Sequence, residues 1–326
     1  MKRIVIPPQR ADIPLPFYLS VEEWVAKNMP EGEYFFAWQV NPTVICGRHQ
    51  DIPVEVNLDF AEKNGIFVCR RKSGGGSVYA DRSNVMFSYI TPSDAVQTTF
   101  GRYTSMIVDM LGSLGIEAES TGRNDISIHG RKVAGNAFLK LPGRSIVHGT
   151  MLYDADFETM AGVLTPSRAK TLSKGVVSVP SRVTTLREEG LAIGCADFME
   201  YAAAFLCNDG EYCLTDADIS EIHEIMKTYR WENDFIPSGG KSTPLYIEGV
   251  GEMCIDFIEA SDGRICGVNI RGDFFSIKDF GKALNDTLIG KPCRRKEIEE
   301  ALISIPVETM VVGLTHEKLF TLLPNN

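Results

Sequence analysis

Arg70-Arg71-Lys72-Ser73-Gly74-Gly75-Gly76-Ser77-Val78-Tyr79 gathers three cations and three consecutive glycines between two apolar runs. Three positions without side chains let a main chain come within hydrogen-bonding distance of a ligand. Successive N–H groups in such a turn form a concave anion site, and the guanidinium groups add fixed positive charge. The chemistry this suits is recognition of a molecule carrying both phosphate and carboxylate. A plain hairpin turn is the competing reading, although two glycines would already serve it.

Four further segments carry reactive side chains. Gly122-Arg123-Asn124-Asp125 leads into a strand, and Gly130-Arg131-Lys132-Val133-Ala134-Gly135 reads as a short turn opening the next one. Val147-His148-Gly149-Thr150 lies inside an apolar run, and 174–183, from Lys174 to Val183, reads as a loop. An ammonium such as Lys132, held on a Gly130–Gly135 turn between strands, can neutralise a carboxylate and a phosphate together, stabilising charge that builds during displacement at phosphorus. A solvated turn lysine is the alternative. Asp125 suits either orienting that lysine or ligating Mg²⁺, and equally an ordinary strand-end carboxylate. Asn124 fits a turn or a polar ligand contact. His148, between apolar neighbours, reads first as a satisfied, partly buried imidazole.

The elements that must hold these groups follow from periodicity. Phe17, Tyr18, Val21, Trp24 and Val25 share one helical face, and strands are expected at Tyr34–Trp38, Val44–Gly47, Ile66–Cys69 and Val85–Ile90. The clearest helix spans about Asp94 to Leu114, its stripe running Val96, Phe100, Tyr103, Ile107, Leu111. Strands follow at Asp125–Ser127, Val133–Leu139 and Ile146–Tyr153, then helices at Phe157–Leu164, Phe198–Leu206 and Ile219–Tyr229, the last with a Thr215/Asp218 capping box. Pro237 to Pro244 reads as a linker. Beyond it, Glu252–Glu259 and Arg264–Arg271 form a hairpin around Asp262-Gly263, with helices at Ile277–Leu284, Glu297–Ser304 and Thr315–Leu322. Two domains are expected, 1–241 and 242–326.

Composition limits the partners. The 326 residues are 44% hydrophobic and 23% charged, with a formal net charge of -10, which argues against non-specific binding to nucleic acid or anionic membrane. The eight cysteines form no C-x-x-C pair and no zinc spacing, so reduced thiols in the cytoplasm are expected. The first six residues resemble the front of a signal peptide, but Pro7 and Pro8 end the apolar run too early. No stretch approaches membrane-spanning length.

With these five segments in one order, the sequence resembles lipoate–protein ligases from about Phe17 to Leu186. The matching residues are Arg70-Arg71-x-Ser73-Gly74-Gly75-Gly76, Gly122-Arg123-Asn124-Asp125, Gly130-Arg131-Lys132-Val133-x-Gly135, His148-Gly149-Thr150 and Lys174-Gly175 through Ser181-Arg182-Val183. The C-terminal region looks like the accessory domain found in many of these ligases. The resemblance implies a mixed-sheet α/β (α+β) catalytic domain shared with biotin–protein ligases and related to class II aminoacyl-tRNA synthetases, followed by a small α+β domain. It implies that lipoate is activated by Mg²⁺ and ATP to lipoyl-AMP, then passed to a lysine of apo lipoyl domains. Implied acceptors are the E2 subunits of 2-oxoacid dehydrogenases and the glycine-cleavage H protein; a monomer is expected.

Site roles follow from the same resemblance. Lys132 is the implied catalytic residue. Arg71, Gly76, Ser77, Val78, Tyr79, Asn124, Asp125, Lys174, Val179, Ser181 and Arg182 would join it around ATP and the adenylate, with Asp125 nearest the metal. Arg70, Ser73, Gly74, Gly75, Gly135, His148 and Gly149 would line the lipoate site. Three departures stand out: Val147 where many relatives have a first histidine, Ala134 where serine is common, and Pro180 in the 174–183 loop.

Two other functions compete. An octanoyl- or lipoyl-transferase on the same scaffold would carry its acyl group on a cysteine, and Cys46 and Cys69 are the thiols nearest the glycine loop in sequence. A non-catalytic lipoate- or biotin-binding regulator would not need Lys132, and no DNA-binding segment is recognisable.

Overall fold

The computed structural model describes residues 1–7, 13–93, 95–121, 124–165, 182–229 and 242–324. The chain forms β1 (Lys2–Val5), α1 (Leu15–Asn28), β2 (Tyr34–Trp38), β3 (Thr43–Cys46), α2 (Ile52–Glu55), α3 (Leu58–Lys63), β4 (Phe67–Arg70) and β5 (Val78–Ala80). There follow β6 (Asn84–Pro92), α4 (Val96–Ser113), β7 (Ala118–Thr121), β8 (Asp125–Ile128), β9 (Arg131–Leu141), β10 (Arg144–Leu152) and α5 (Phe157–Val163). Then come α6 (Cys195–Leu206), β11 (Glu211–Cys213) and α7 (Asp216–Met226). The C-terminal region contains β12 (Leu245–Ile247), β13 (Gly251–Glu259), β14 (Ile265–Gly272), α8 (Phe280–Leu288), α9 (Arg295–Leu302) and α10 (His316–Phe320).

Side-chain alternation gives the large sheet two buried faces. In β6, Val85, Phe87 and Tyr89 enter one core with α4 and α6, while Met86 and Ile90 enter the other with α1. The strand order is β11-β1-β2-β6-β10-β9-β8-β7. The β11/β1 and β1/β2 pairs are parallel and the remaining pairs antiparallel, so the sheet is mixed. A small sheet, β4-β3-β5, stands beside it and carries the glycine-rich loop at the end of β4.

The helical stripe expected in α4 is buried through Val96, Phe100, Tyr103, Ile107 and Leu111. Gly115, at φ +79°, turns the chain out of it. The Thr215/Asp218 capping box is present, so α7 starts earlier than the apolar pattern suggests. Similarly, α8 runs Phe280–Leu288 rather than Ile277–Leu284, because the Asp279 carboxylate caps it by accepting from Lys282 N at 3.0 Å. The short strands β1 and β11, the second and first of the sheet, have no counterpart in the sequence reading; β1 is the opening apolar run that looked like a leader fragment. The expected linker falls partly in 230–241, outside the described residues.

The C-terminal region has its own core, drawn from residues between Ile247 and Leu323. It reaches the large sheet through residues 271–279. Phe275 is buried in the first core, its ring 5.7 Å from that of Phe100. Phe274 stacks on His49 at 4.4 Å, and His49 Nε2 lies 2.8 Å from Ser276 Oγ. Within the basic run at 291–296, Arg295 is spent on structure: it pairs with Glu299 at 2.8 Å and donates to the Phe320 carbonyl at 3.1 Å.

Candidate active site

The two arginines and the lysine of the glycine-rich loop have separate tasks. Arg70 Nη1 donates to the carbonyls of Gly47, Arg48 and Gln50 at 2.9, 3.2 and 2.7 Å, bracing one turn against another. Lys72 Nζ pairs with the buried Glu23 at 2.6 Å, tying the loop to α1. Only Arg71 lines the cavity. Its guanidinium donates to Ser73 Oγ at 3.0 Å and to the carbonyls of Ile45, Gly74 and Gly76 at 3.0, 2.7 and 2.9 Å. Burial pulls its pKa down to about 10, which still leaves it cationic at neutral pH. Among the described residues no carboxylate pairs with it directly.

Gly74 and Gly75 are demanded by close approach. A Cβ at Gly74 would stand 2.2 Å from the Phe274 carbonyl oxygen. Gly75 adopts φ +91°, and a Cβ there would come within 2.8 Å of Arg71 Nη2 and 3.0 Å of the Phe275 ring. The C-terminal region therefore forms the backing of this loop, and Gly75 N donates to the Phe274 carbonyl at 3.4 Å.

Lys132 lies in β9 and not on a turn: the turn is His129–Gly130, both at positive φ (51° and 73°), the backbone of a tight two-residue hairpin. Opposite β8, Asp125 pairs with Gly135 and Ser127 with Lys132, so the register slips and Val133 is a bulge. That bulge turns Lys132 to the face carrying Gly135. Its Nζ pairs with Asp125 Oδ1 at 2.8 Å, directly over Gly135, where a Cβ would stand 2.6 Å from the nitrogen.

From that ammonium a floor runs across the sheet. The register aligns Gly135 (β9) with Thr150 (β10), Met86 (β6) and Trp38 (β2). Three strand spacings make this row about 14 Å long. All four residues line the cavity, with Leu19, Ile45 and Val78 as apolar walls. The slot is thus cationic and polar at the Lys132 end and closed by indole at the other. Asn124 and Asn136 sit at the polar end, each amide donating to the other's main-chain carbonyl, at 2.5 and 2.8 Å.

Beside this floor runs a buried polar chain. His148 Nδ1 is 2.8 Å from Glu22 Oε2, and its Nε2 is 2.7 Å from Ser73 Oγ. A carboxylate only accepts, so Nδ1 donates to Glu22. Ser88 donates to Glu22 Oε1 at 2.5 Å and accepts from Trp38 Nε1 at 2.8 Å. The chain ends at Arg71, which donates to Ser73 Oγ.

Of the residues expected from sequence, Arg71, Gly75, Gly76, Ser77, Val78, Asn124, Lys132, Gly135, His148 and Gly149 line one cavity. Arg70, Ser73 and Gly74 support its wall. Tyr79 is buried, its hydroxyl donating to Asp81 at 3.0 Å. Arg182 contributes its carbonyl, which accepts from Lys132 N at 2.9 Å. Gly122, Arg123, Lys174, Val179, Pro180 and Ser181 lie outside the described residues. Val147 and Ala134 face the core on the opposite side of the sheet, so neither departure alters the cavity wall. Leu19, Trp38, Met86 and Asn136 were not anticipated, and neither was the anchor Glu22; a carboxylate inside an apolar helical face was the one signal for it. Cys46 and Cys69 are buried outside the cavity lining, and burial pushes both thiols up.

Residues 15–206 match the family model of the lipoyl protein ligase A/B catalytic domain, and residues 250–323 that of the bacterial lipoate protein ligase C-terminus. The chain is 32% identical to lipoate-protein ligase LplJ of Bacillus subtilis over 321 residues, 94% of this chain and 95% of that one. It is 35% identical to lipoate–protein ligase 1 of Staphylococcus aureus over 296 residues, 87% and 89% of the two. Among solved structures, P. falciparum LipL1 in complex with lipoate aligns at a TM-score of 0.78 with 20% identity over 98% of both chains. A lipoate-protein ligase A bound with ATP aligns at 0.59 with 23% identity, over 69% of this chain and 94% of that one. These two likenesses establish the fold.

Proposed function

This chain belongs to the lipoate–protein ligase family, and we propose that it activates lipoate with ATP and transfers the lipoyl group to a lysine of apo lipoyl domains. The observation that carries the reading is one ammonium, Lys132, at the polar end of an apolar slot about 14 Å long. An extended acyl chain fits along Gly135, Thr150, Met86 and Trp38 with its carboxylate at that ammonium. The relatives' structures named with lipoate and with ATP support both substrates.

In the first step a lipoate carboxylate oxygen attacks the α-phosphorus of ATP and pyrophosphate leaves, giving lipoyl-AMP. Lys132 lies between the two anions, cancels their repulsion and holds them in line. Arg71 and the main chain from Gly76 to Tyr79 supply further positive potential at the nucleotide. In the second step the neutral amine of the acceptor lysine attacks the carbonyl of the anhydride. An amide forms, AMP leaves, and the amine gives up a proton. The same ammonium then stabilises the oxygen of the tetrahedral intermediate.

Magnesium ordinarily binds through substrate phosphates, waters and one or two carboxylates. Asp125, beside Lys132, is the carboxylate suited to it, and among the described residues no cluster of three or more ligating side chains exists. Bound there, the ion would neutralise phosphate charge. The E2 subunits of 2-oxoacid dehydrogenases and the glycine-cleavage H protein are the proposed acceptors. The eight unpaired cysteines fit work in the reducing cytoplasm, and a monomer is the proposed state. Among the described residues, no helix is long and apolar enough to cross a membrane. The separate core of the C-terminal region supports the division into a catalytic domain, 1–241, and an accessory domain, 242–326.

The test is mass spectrometry of an apo lipoyl domain incubated with lipoate, Mg²⁺ and ATP. One lipoyl amide per acceptor, matched by one AMP and one pyrophosphate, is expected. Modification without ATP, or only from an acylated carrier protein, would overturn the reading in favour of a transferase.

A further inference from the structure

Lys132 is held from outside its own hairpin. Its N–H donates to the Arg182 carbonyl at 2.9 Å, and its carbonyl accepts from Thr184 N at 2.9 Å, making a parallel bridge to Val183. Those two bonds sit beside the Val133 bulge, where the β8/β9 ladder gives the least restraint. A carboxylate spans the weak point. Glu189 Oε1 accepts from Thr184 Oγ1 at 2.7 Å and from Arg131 Nη2 at 2.7 Å. Its Oε2 faces His129 Nδ1 at 3.1 Å, at the turn opening β9.

The Glu189 carboxylate is enclosed, whereas Arg131 and His129 reach it from the part-exposed and exposed side. The Glu189 side chain is 8% exposed, Thr184 is fully buried, and Leu186 between them is anchored in the first core. Glu188 supplies the outer rim, 3.1 Å from Thr184 Oγ1 and 3.6 Å from Arg131. One charged group therefore binds the residue before Lys132 and the 182–184 segment bridged to Lys132. Without it, the carriers of Lys132 can slide relative to each other across the bulge.

We propose that Glu189 is a positioning residue for Lys132, fixing through Arg131 and Thr184 where its ammonium meets the reacting groups. The inference rests on the reading of Lys132 as the charge-neutralising group. Glu189 is not among the residues lining the cavity, so its loss is expected to act on the geometry of the transition state rather than on binding.

The experiment measures lipoate-dependent pyrophosphate release by Glu189→Gln, Thr184→Val and the double variant, with melting temperatures, and Lys132→Ala in parallel. Each single change is expected to lower kcat about 10-fold while KM for lipoate stays within about 2-fold. The double variant is expected to be little worse than either single, because both break one clamp. Parental kcat in the singles, losses that multiply in the double, or losses that follow melting temperature alone would overturn the inference. If Glu189→Gln does not fold, Thr184→Val alone carries the comparison. Full activity in Lys132→Ala would instead sink the reading beneath it, whereas an inactive Lys132→Ala beside an unaffected Glu189→Gln sinks only the clamp.

Discussion

Replacing Gly135 by alanine separates activity from stability at this site. The added Cβ would stand 2.6 Å from Lys132 Nζ and 2.8 Å from its Cε. Ordinary contact between such atoms begins near ~3.5 Å, so the ammonium must retreat by about 0.9 Å. The nearest other atom, Asp125 Oδ1, is 3.8 Å away, and the atoms that must give belong to the far end of a flexible side chain. The fold therefore accommodates the methyl group. Gly135 is not at positive φ, and alanine is favoured over glycine within a strand by about 0.5–1 kcal/mol. A displacement of about 1 Å in a positioning group costs up to ~100-fold in rate, close to 2.7 kcal/mol of barrier. Pyrophosphate release with saturating lipoate and ATP should fall by roughly 10- to 100-fold. The melting temperature should hold or rise. A variant with kcat within 2-fold of the parent would refute the placement of Lys132, and so would a loss explained wholly by unfolding.

Two further outcomes follow. His49 lies buried between Arg48 and the Phe274–Ser276 segment, with Asp279 and Arg70 also near; burial, with Arg48, holds its pKa down at about 3 from an ordinary 6.5. The unfolded chain binds that proton first, so the stabilisation is complete above pH 6.5 and lost as pH falls toward about 3. Melting temperature between pH 7 and 4.5 should therefore drop more steeply in the parent than in His49→Asn, and parallel slopes would contradict the assignment. Cys46→Ala combined with Cys69→Ala should keep lipoate- and ATP-dependent pyrophosphate release, since neither thiol lines the slot; abolition in a folded protein would point to a thiol-borne acyl group.

Much of the site was legible because its chemistry is local in sequence. Three glycines beside two arginines pointed to a loop of close main-chain approach, which the structure places at the cavity wall, and Lys132 lay between glycines that mark close approach. What could not be read was which arginine faces inward. Arg70 and Arg71 are adjacent, and only the register of β3 against β4 sends one to the main-chain carbonyls of residues 47–50 and the other to the cavity. The strand placement of Lys132 was missed because a bulge breaks the alternation from which strands are recognised. The apolar floor was hidden for a different reason. Trp38, Met86 and Thr150 come from three separate strands, and nothing within any one strand distinguishes a slot-facing residue from a core one. Strands of three or four residues, such as β1 and β11, are too short for a period to show. The stripe in α4, the capping box of α7 and the Asp262-Gly263 hairpin were all readable, because each is specified within one stretch of chain.

If the Lys132 ammonium neutralises acyl carboxylate and phosphate together, Lys132→Ala removes that compensation at its source. The measurement is single-turnover formation of lipoyl-AMP from lipoate and ATP, with lipoate binding determined separately. A loss of at least about 100-fold in the rate, with the variant still folded and still binding lipoate, is the result expected. Adenylate formed at the parental rate would contradict it.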